Sequence, residues 1–215
     1  KFGEAVKHLA QLAGMQPYMF SKQDEEREKK WKDYVSIFDR YVSFYHEELL
    51  KNENLTNVRD YLKGRSLGKN QVKKFKIGFI GKNPNYYEKL KEDFSEQTLL
   101  DTGLFYFDEK KKIYLERFRG RLIFPINNIS GHAIALGGRI IEKSDYLAKY
   151  INSPETNFFK KGSNLYNLDF ARKLSNKLDH VYLVEGYMDV LGLSKNGIEN
   201  AVANLGTSLT EKQIL

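Results

Sequence analysis

The last third of the chain alternates between short apolar runs and amphipathic segments, and this alternation restricts the fold more than any other feature. Residues 181–184 form a continuous apolar run, which predicts a buried strand. Residues 189–195 suit a helix, residues 201–204 a second strand, and Thr210 is placed to cap a further helix. This order is typical of a parallel α/β sheet. Two strands are too few for a stable sheet, so we expect the chain to be cut inside a larger domain.

The preceding residues predict helices first and a mixed region afterwards. Residues 2–13 suit a helix, and a longer one carries an aromatic stripe that indicates a core-facing surface rather than a ligand site. That stripe consists of Trp31, Tyr34, Val35, Phe38, Tyr41, Val42, Tyr45 and Leu49. Further along we expect helices over residues 55–62, 70–75 and 165–178, a strand over 77–80, a helix that begins at Asn83 and Pro84, and strand pairs at 104–107 with 113–115 and at 122–126 with 132–136.

Composition excludes several classes of protein. The chain has no cysteine, which excludes disulfides and fits a reducing cytoplasm, and its four histidines are too scattered for a zinc site of the usual spacing. The hydrophobic fraction of 41% is sufficient for a core. No apolar run approaches the roughly 18 residues that span a bilayer.

Positive charge is concentrated in one stretch of a chain whose net charge is +7. Ten basic residues lie between Arg59 and Lys91, opposed only by Asp60 and Glu88. Binding to a polyanion is one interpretation. The other is that the lysines simply cover solvated faces, and charge alone favours neither.

Two carboxylates follow the apolar run 181–184. Glu185 comes at the carboxyl end of the predicted strand, where open α/β sheets bind ligands, and Asp189 opens the next helix. Two such oxygen ligands suit Mg²⁺. Alternatively, Asp189 is an acid favoured by the helix dipole and Glu185 an exposed strand-end residue, and on spacing alone this second interpretation is the better one.

Several motifs together resemble a known family. Glu185-Gly186-Tyr187-Met188-Asp189-Val190 resembles the first signature of the TOPRIM domain, and residues 204–210 (NLGTSLT) resemble the turn after its second strand. Residues 117–126 (RFRGRLIFPI), 137–139 (GGR) and 149–156 (KYINSPET) resemble signatures of bacterial DnaG-type primases. The resemblance runs from about residue 59 to the end, and the first fifty residues resemble the linker that precedes this core.

The resemblance implies a combined α+β and α/β fold in three regions. We expect a helical linker over residues 1–53, a mixed α+β subdomain of the catalytic core over 54–164, and the first strands and helices of a TOPRIM-type parallel sheet over 165–215.

The same resemblance implies a DNA-dependent RNA polymerase, a nucleotidyltransferase that makes short RNA primers on single-stranded DNA in bacterial replication. Its implied partners are the template, the RNA–DNA hybrid, ribonucleoside triphosphates and, through a separate C-terminal domain, the replicative helicase. The implied cofactors are Mg²⁺ or Mn²⁺ at the TOPRIM site and zinc in a separate N-terminal module, and the implied location is the cytoplasm, with the nucleoid. Glu185 and Asp189 take the catalytic and metal-binding positions; the nucleic-acid-binding positions fall on Arg65, Arg139, Lys149, Asn152 and Lys161.

The chain departs from the family pattern in places. Arg65-Ser66-Leu67-Gly68 replaces R-G-L-S, and Lys160-Lys161-Gly162-Ser163 replaces H-K-G-R. No Asp-x-Asp follows Asp189, and a two-metal site needs more carboxylates than two, so we expect this chain alone to be inactive.

Two alternatives remain open at this point. One is a non-catalytic TOPRIM scaffold of the recombination-mediator type, and the other is a TOPRIM nuclease. The blocks at 117–126 and 149–156 favour the primase, although the arginines of the first block could instead brace a joint between subdomains.

Overall fold

A computed structural model describes residues 2–15, 21–142, 144–206 and 208–214. Its helices are α1 (Phe2–Leu12), α2 (Lys22–Lys51), α3 (Thr56–Gly64), α4 (Lys69–Lys74), α5 (Tyr86–Leu90), α6 (Glu96–Asp101), α7 (Leu168–Leu178), α8 (Tyr187–Lys195) and α9 (Glu211–Ile214). Its strands are β1 (Gly78–Ile80), β2 (Phe105–Asp108), β3 (Ile113–Glu116), β4 (Arg121–Asn127), β5 (Ala133–Ile140), β6 (Tyr150–Asn152), β7 (Tyr182–Val184) and β8 (Ala201–Ala203). Short 3-10 turns cover Glu53–Leu55 and Lys161–Ser163.

The chain divides into two compact units, residues 1–32 and 33–215. In the first unit, α1 exposes the apolar side chains of Leu9 and Leu12. Among the described residues, none of the helices combines the length and the apolar character needed to cross a membrane.

The aromatic stripe of α2 forms a large part of the core of the second unit. From Tyr34 onwards the stripe is buried, with the addition of Ile37, except that Val35 is only half-buried. The helical spacing of these apolar side chains explains why one face of α2 is buried while polar residues such as Asp39 and Glu47 remain exposed. The predicted helix and its core-facing role are therefore confirmed.

A four-stranded antiparallel sheet in the order β1-β4-β5-β6 carries most of the predicted motifs. Its central strands β4 and β5 are almost fully buried. Arg139 of β5 pairs with Leu122 on one side and with Tyr150 of β6 on the other. The two predicted hairpins, β2 with β3 and β4 with β5, are confirmed.

The helix predicted to begin at Asn83 and Pro84 begins instead at Tyr86, so that prediction was wrong. Asn85 occupies the N-cap position without a side-chain cap. The first backbone N–H of the helix, that of Tyr86, donates to the buried carboxylate of Glu116 at 2.8 Å. A distant carboxylate therefore supplies the cap that the sequence assigned to a local asparagine.

The last third contains the expected parallel pair, in which β7 lies beside β8. Two details of the prediction were wrong. The helix expected over residues 165–178 begins at Leu168, because Tyr166 forms an antiparallel bridge with Ala203. The apolar run expected to be a buried strand is largely exposed, with 44% of Leu183 accessible and only Val184 half-buried. Among the described residues β8 is its one strand partner, and β8 itself is the buried strand of the pair. The fold class nevertheless agrees with the expectation of a mixed α+β region followed by a parallel α/β segment.

Candidate active site and nucleic-acid interface

Three of the five predicted nucleic-acid-binding residues line one groove. Arg65 follows α3, Arg139 lies on β5 and Lys149 precedes β6. They share an open groove of about 460 Å³ with Tyr61 and with residues of the loop after β5. Arg65 and Lys149 are exposed, so two cations are available to phosphates at the surface of this groove.

Arg139 is held in a different way, because only 4% of it is exposed. Its guanidinium lies 5.5 Å from the ring centroid of Tyr61 and 5.1 Å from that of Tyr150, and it donates a short hydrogen bond to the Tyr150 hydroxyl. Arg65 lies 5.7 Å from the Tyr61 ring. Cation–π contacts thus connect Arg65, Tyr61, Arg139 and Tyr150 in one cluster. The Nε of Arg139 is buried and has no hydrogen-bond partner among the residues that the structure describes.

The two predicted catalytic carboxylates follow β7 and are both exposed. Glu185 comes directly after the strand, and Gly186 occupies the N-cap position of α8. The backbone N–H of Gly186 donates to Asp189 Oδ2 at 3.0 Å. Asp189 therefore has the helix-start role that the alternative interpretation gave it, and this role leaves its other lone pairs free.

The donor set of this turn fits a hard cation. Two exposed carboxylates offer several oxygen lone pairs after one of them has accepted the Gly186 N–H. Mg²⁺ is commonly held by one or two carboxylates and completes its shell with waters and substrate phosphates. No cluster of three or more metal-ligating side chains is found in the part of the chain that the structure describes. Glu185 and Asp189 can accordingly supply a share of a metal site.

Asn152 does not line the groove with Arg65, Arg139 and Lys149. Its Oδ1 accepts a short hydrogen bond from the Tyr187 hydroxyl, and its Nδ2 donates to the carbonyl of Leu205 at 2.7 Å. Both ends of the amide are therefore used within the protein.

Lys161 is likewise separate from that groove. Its backbone N–H donates to Glu155 at 3.1 Å, and its carbonyl accepts from Gln213 of α9 at 3.0 Å. The Thr210 hydroxyl donates to the carbonyl of Gly162 beside it at 2.6 Å, so Thr210 also fastens α9 to this turn. Thr207, within the second TOPRIM-like motif, lies outside the described residues.

The arginines of the block at 117–126 all donate to backbone carbonyls. Arg117 bonds to Gly103 at 2.8 Å, Arg119 to Glu116 at 3.1 Å and Arg121 to Ala148 at 2.9 Å. Burial lowers the pKa of Arg117 and of Arg121. All three acceptors belong to residues 54–164, so these bonds brace the predicted catalytic subdomain from within and do not cross its joint with residues 165–215.

Three tyrosines of this region were missed by the sequence analysis. Tyr61 precedes Arg65 by one helical turn, Tyr150 follows Lys149, and Tyr187 lies between the two carboxylates. Burial raises the pKa of Tyr150 and Tyr187 above the ordinary value of 10.0, which keeps both hydroxyls protonated. A search for aromatic residues beside the predicted cations would have found the first two.

Comparison with known families gives two matches that divide the chain. The family described as DNA primase catalytic core, N-terminal domain, matches residues 44–172. The Toprim domain family matches residues 179–215.

Individual relatives agree with these matches. A DNA primase of Pseudomonas putida is 36% identical over 99% of this chain, which spans about 33% of that relative. The structure of a DnaG primase catalytic domain bound to ssDNA is similar with a TM-score of 0.78 and 34% identity, covering 87% of this chain and 58% of the other. The zinc-binding and RNA polymerase domains of the Aquifex aeolicus primase give a TM-score of 0.76 and 34% identity, covering 99% and 50%.

Proposed function

Because this chain belongs to the DNA primase catalytic core family, we propose that its parent protein is a DNA-dependent RNA polymerase that makes short RNA primers on single-stranded DNA. One observation carries this proposal. The strand β6 lies beside the basic groove, and through Asn152 it is hydrogen-bonded to the segment that bears Glu185 and Asp189. A template strand in the groove would thus lie on a frame that also positions the carboxylates.

We propose that the exposed cations act on the template backbone. Arg65 and Lys149 would contact phosphates, which positions a strand without reading its sequence. Arg139 would act mainly as a fixed positive charge behind them, since its guanidinium is enclosed by two tyrosine rings. Asn152 uses both ends of its amide within the protein, which leaves it a smaller direct share in this binding, and Lys161 would contact the strand outside the groove.

We propose that Glu185 and Asp189 hold Mg²⁺ or Mn²⁺ in the parent. When bound, such an ion neutralises charge on the triphosphate and lowers the pKa of the attacking 3′-hydroxyl. Glu185 itself is exposed at the carboxyl end of β7, so its oxygens can also accept the proton of that hydroxyl. Asp189 orients the turn through its bond to Gly186.

We further propose the division into residues 1–53, 54–164 and 165–215 as linker, catalytic subdomain and TOPRIM segment. The change from one family match to the other between residues 172 and 179 supports the second boundary approximately. The chain spans about a third of the curated relatives it matches. For the whole protein we also propose that it uses ribonucleoside triphosphates, contacts the replicative helicase and contains a zinc module. We propose that it is located in the cytoplasm, with the nucleoid.

The decisive experiment is primer synthesis by the full-length parent with labelled ribonucleotides on single-stranded DNA. Glu185→Gln keeps the volume of the side chain and removes its charge, so it should abolish synthesis while the melting temperature and DNA binding stay unchanged. Asp189→Asn should act similarly, with partial rescue by Mn²⁺ if its role is ligation.

Glu211→Gln, which changes another exposed carboxylate in the same region, is the matched control and should prime normally. Near wild-type priming by Glu185→Gln would contradict the assignment of the active site. Cleavage of DNA by a parent that never extends it would indicate a nuclease instead.

A further inference from the structure

Tyr187 lies in the middle of the acidic turn and packs away from it. It is the residue after Gly186, two positions from both Glu185 and Asp189, yet only 5% of it is exposed. Its ring stacks on Phe124 of β4 with the centroids 5.4 Å apart and the planes 3° apart, and it meets the ring of Tyr166 edge-on at 4.7 Å. The acidic turn is therefore anchored on the antiparallel sheet by this one side chain.

The sheet is shaped to receive this ring. Gly137 of β5 lies directly beneath it, and a Cβ added there would come within 2.6 Å of the Tyr187 hydroxyl oxygen. Gly137 pairs in register with Asn152 on β6. The absence of a side chain at residue 137 thus opens the space through which Tyr187 reaches Asn152.

Asn152 connects two segments of the TOPRIM-like region at once. Its Oδ1 accepts the hydroxyl of Tyr187, and its Nδ2 donates to the carbonyl of Leu205, which follows β8. Gly206 comes next, with a positive φ of 77°, and a Cβ on it would lie 3.5 Å from the same Nδ2. One amide therefore fixes the turns that follow both parallel strands.

We infer that Tyr187 and Asn152 are positioning residues for primer synthesis, which hold the carboxylates of Glu185 and Asp189 in register with the basic groove. This inference rests on the proposed function. It also changes the role that the family resemblance gave Asn152, from a contact with nucleic acid to a contact within the protein. A misplacement of reacting groups by about 1 Å can cost roughly 100-fold in rate, so a lost anchor should be visible in turnover.

The test uses the full-length parent and removes the hydrogen-bonding group of each residue of the pair. Tyr187→Phe deletes only the hydroxyl and Asn152→Ala deletes the amide. Each should lower kcat by roughly 10- to 100-fold, while the KM for template and the Kd for single-stranded DNA remain within about two-fold of wild type. The double variant should be no slower than Asn152→Ala, because the two residues act through one hydrogen bond.

Tyr166→Phe is the matched control. The Tyr166 ring touches Tyr187 in the same cluster, but within the described part of the chain its buried hydroxyl has no hydrogen-bond partner. Its removal should leave kcat unchanged. A loss of activity in Tyr166→Phe equal to that in Tyr187→Phe would overturn the inference, because it would indicate a general packing effect.

Hydrogen exchange separates this inference from the proposed function. In Tyr187→Phe and Asn152→Ala, the amide of Gly186 should exchange faster than in wild type, whether or not the parent makes primers. Unchanged exchange together with unchanged kcat would overturn the positioning role. A weaker Kd for single-stranded DNA in Asn152→Ala, with kcat intact, would show that Asn152 contacts nucleic acid directly. A wild-type parent that fails to prime would contradict the proposed function alone.

Discussion

The hydroxyl of Tyr41 donates a 2.7 Å hydrogen bond to the carboxylate of Glu116, which is only 2% exposed. Tyr45 donates to the same oxygen at 2.7 Å, and the backbone N–H of Tyr86 donates to the other one at 2.8 Å. This carboxylate joins α2, α5 and β3 in the interior. Truncation of a buried acid that accepts from three donors lowers the stability of a protein far more than truncation of an exposed acid, because the buried donors lose their partner.

Glu116→Ala should therefore destabilise the protein strongly. The substitution leaves two tyrosine hydroxyls and one backbone N–H without their partner, for which we expect a loss of about 3 kcal/mol or more in the free energy of unfolding. Urea denaturation measures this loss of free energy. Glu109→Ala, which removes an exposed partner of Lys112, should change the free energy by less than about 1 kcal/mol. Equal effects of the two substitutions would mean that the Glu116 network has little energetic value.

The same carboxylate predicts a pH dependence. Burial raises the pKa of Glu116 above the ordinary 4.5, and the bonds from Tyr45 and Tyr41 oppose this in part. The unfolded state then loses its proton at a lower pH than the folded state, so the contribution of Glu116 to stability is full below about pH 4.5 and falls as pH rises through the folded pKa. Burial also raises the pKa of Tyr41, so its hydroxyl remains a donor over this range.

Glu116→Gln tests this sign, because an amide cannot ionise. The free energy of unfolding of the wild type minus that of Glu116→Gln should decrease from pH 4 towards neutral pH. Denaturation curves at half-unit intervals measure the difference. A difference that stays constant, or rises with pH, would contradict a raised pKa.

Gly137→Ala should disturb the contact between the sheet and Tyr187. The added methyl group would overlap the buried ring of Tyr187, and overpacking of this kind costs about 1–3 kcal/mol. Gly64→Ala is the control, because a Cβ at the last residue of α3 meets no atom of the described residues within 4 Å. The measurement is the melting temperature of each variant. An unchanged melting temperature of Gly137→Ala would show that the Tyr187 ring can move without loss of stability.

The sequence predicted local structure well where a segment determines its own conformation. The period of α2 and the turns of both hairpins are encoded within a few residues, and these elements are confirmed. Predictions failed where a distant residue intervenes. Asn83 and Pro84 have good local chemistry for a helix start, but Glu116 binds the N–H of Tyr86 and moves the start of α5 to that residue.

The candidate site shows the same division between local and distant causes. The motifs indicated Arg65, Arg139 and Lys149, and the structure places them in one groove. The partners of Asn152 could not be predicted, because Tyr187 and Leu205 are more than thirty residues away and reach it only through the packing of the two sheets. The exposure of the apolar strand β7 likewise depends on which elements cover it, and periodicity contains no information about that.

Single-stranded DNA should bind this chain weakly, without sequence preference and with strong salt dependence. We expect each phosphate contact to add about 0.7 to the slope of log K against log salt, so Arg65→Ala/Lys149→Ala should reduce the slope by about 1.4. Both residues are exposed, so folding should be unaffected. Lys110→Ala/Lys111→Ala removes the same charge from the exposed turn between β2 and β3 and should leave the slope nearly unchanged. Fluorescence anisotropy at several salt concentrations measures both. Equal slopes for the two double variants would mean that net charge, rather than this groove, accounts for the binding.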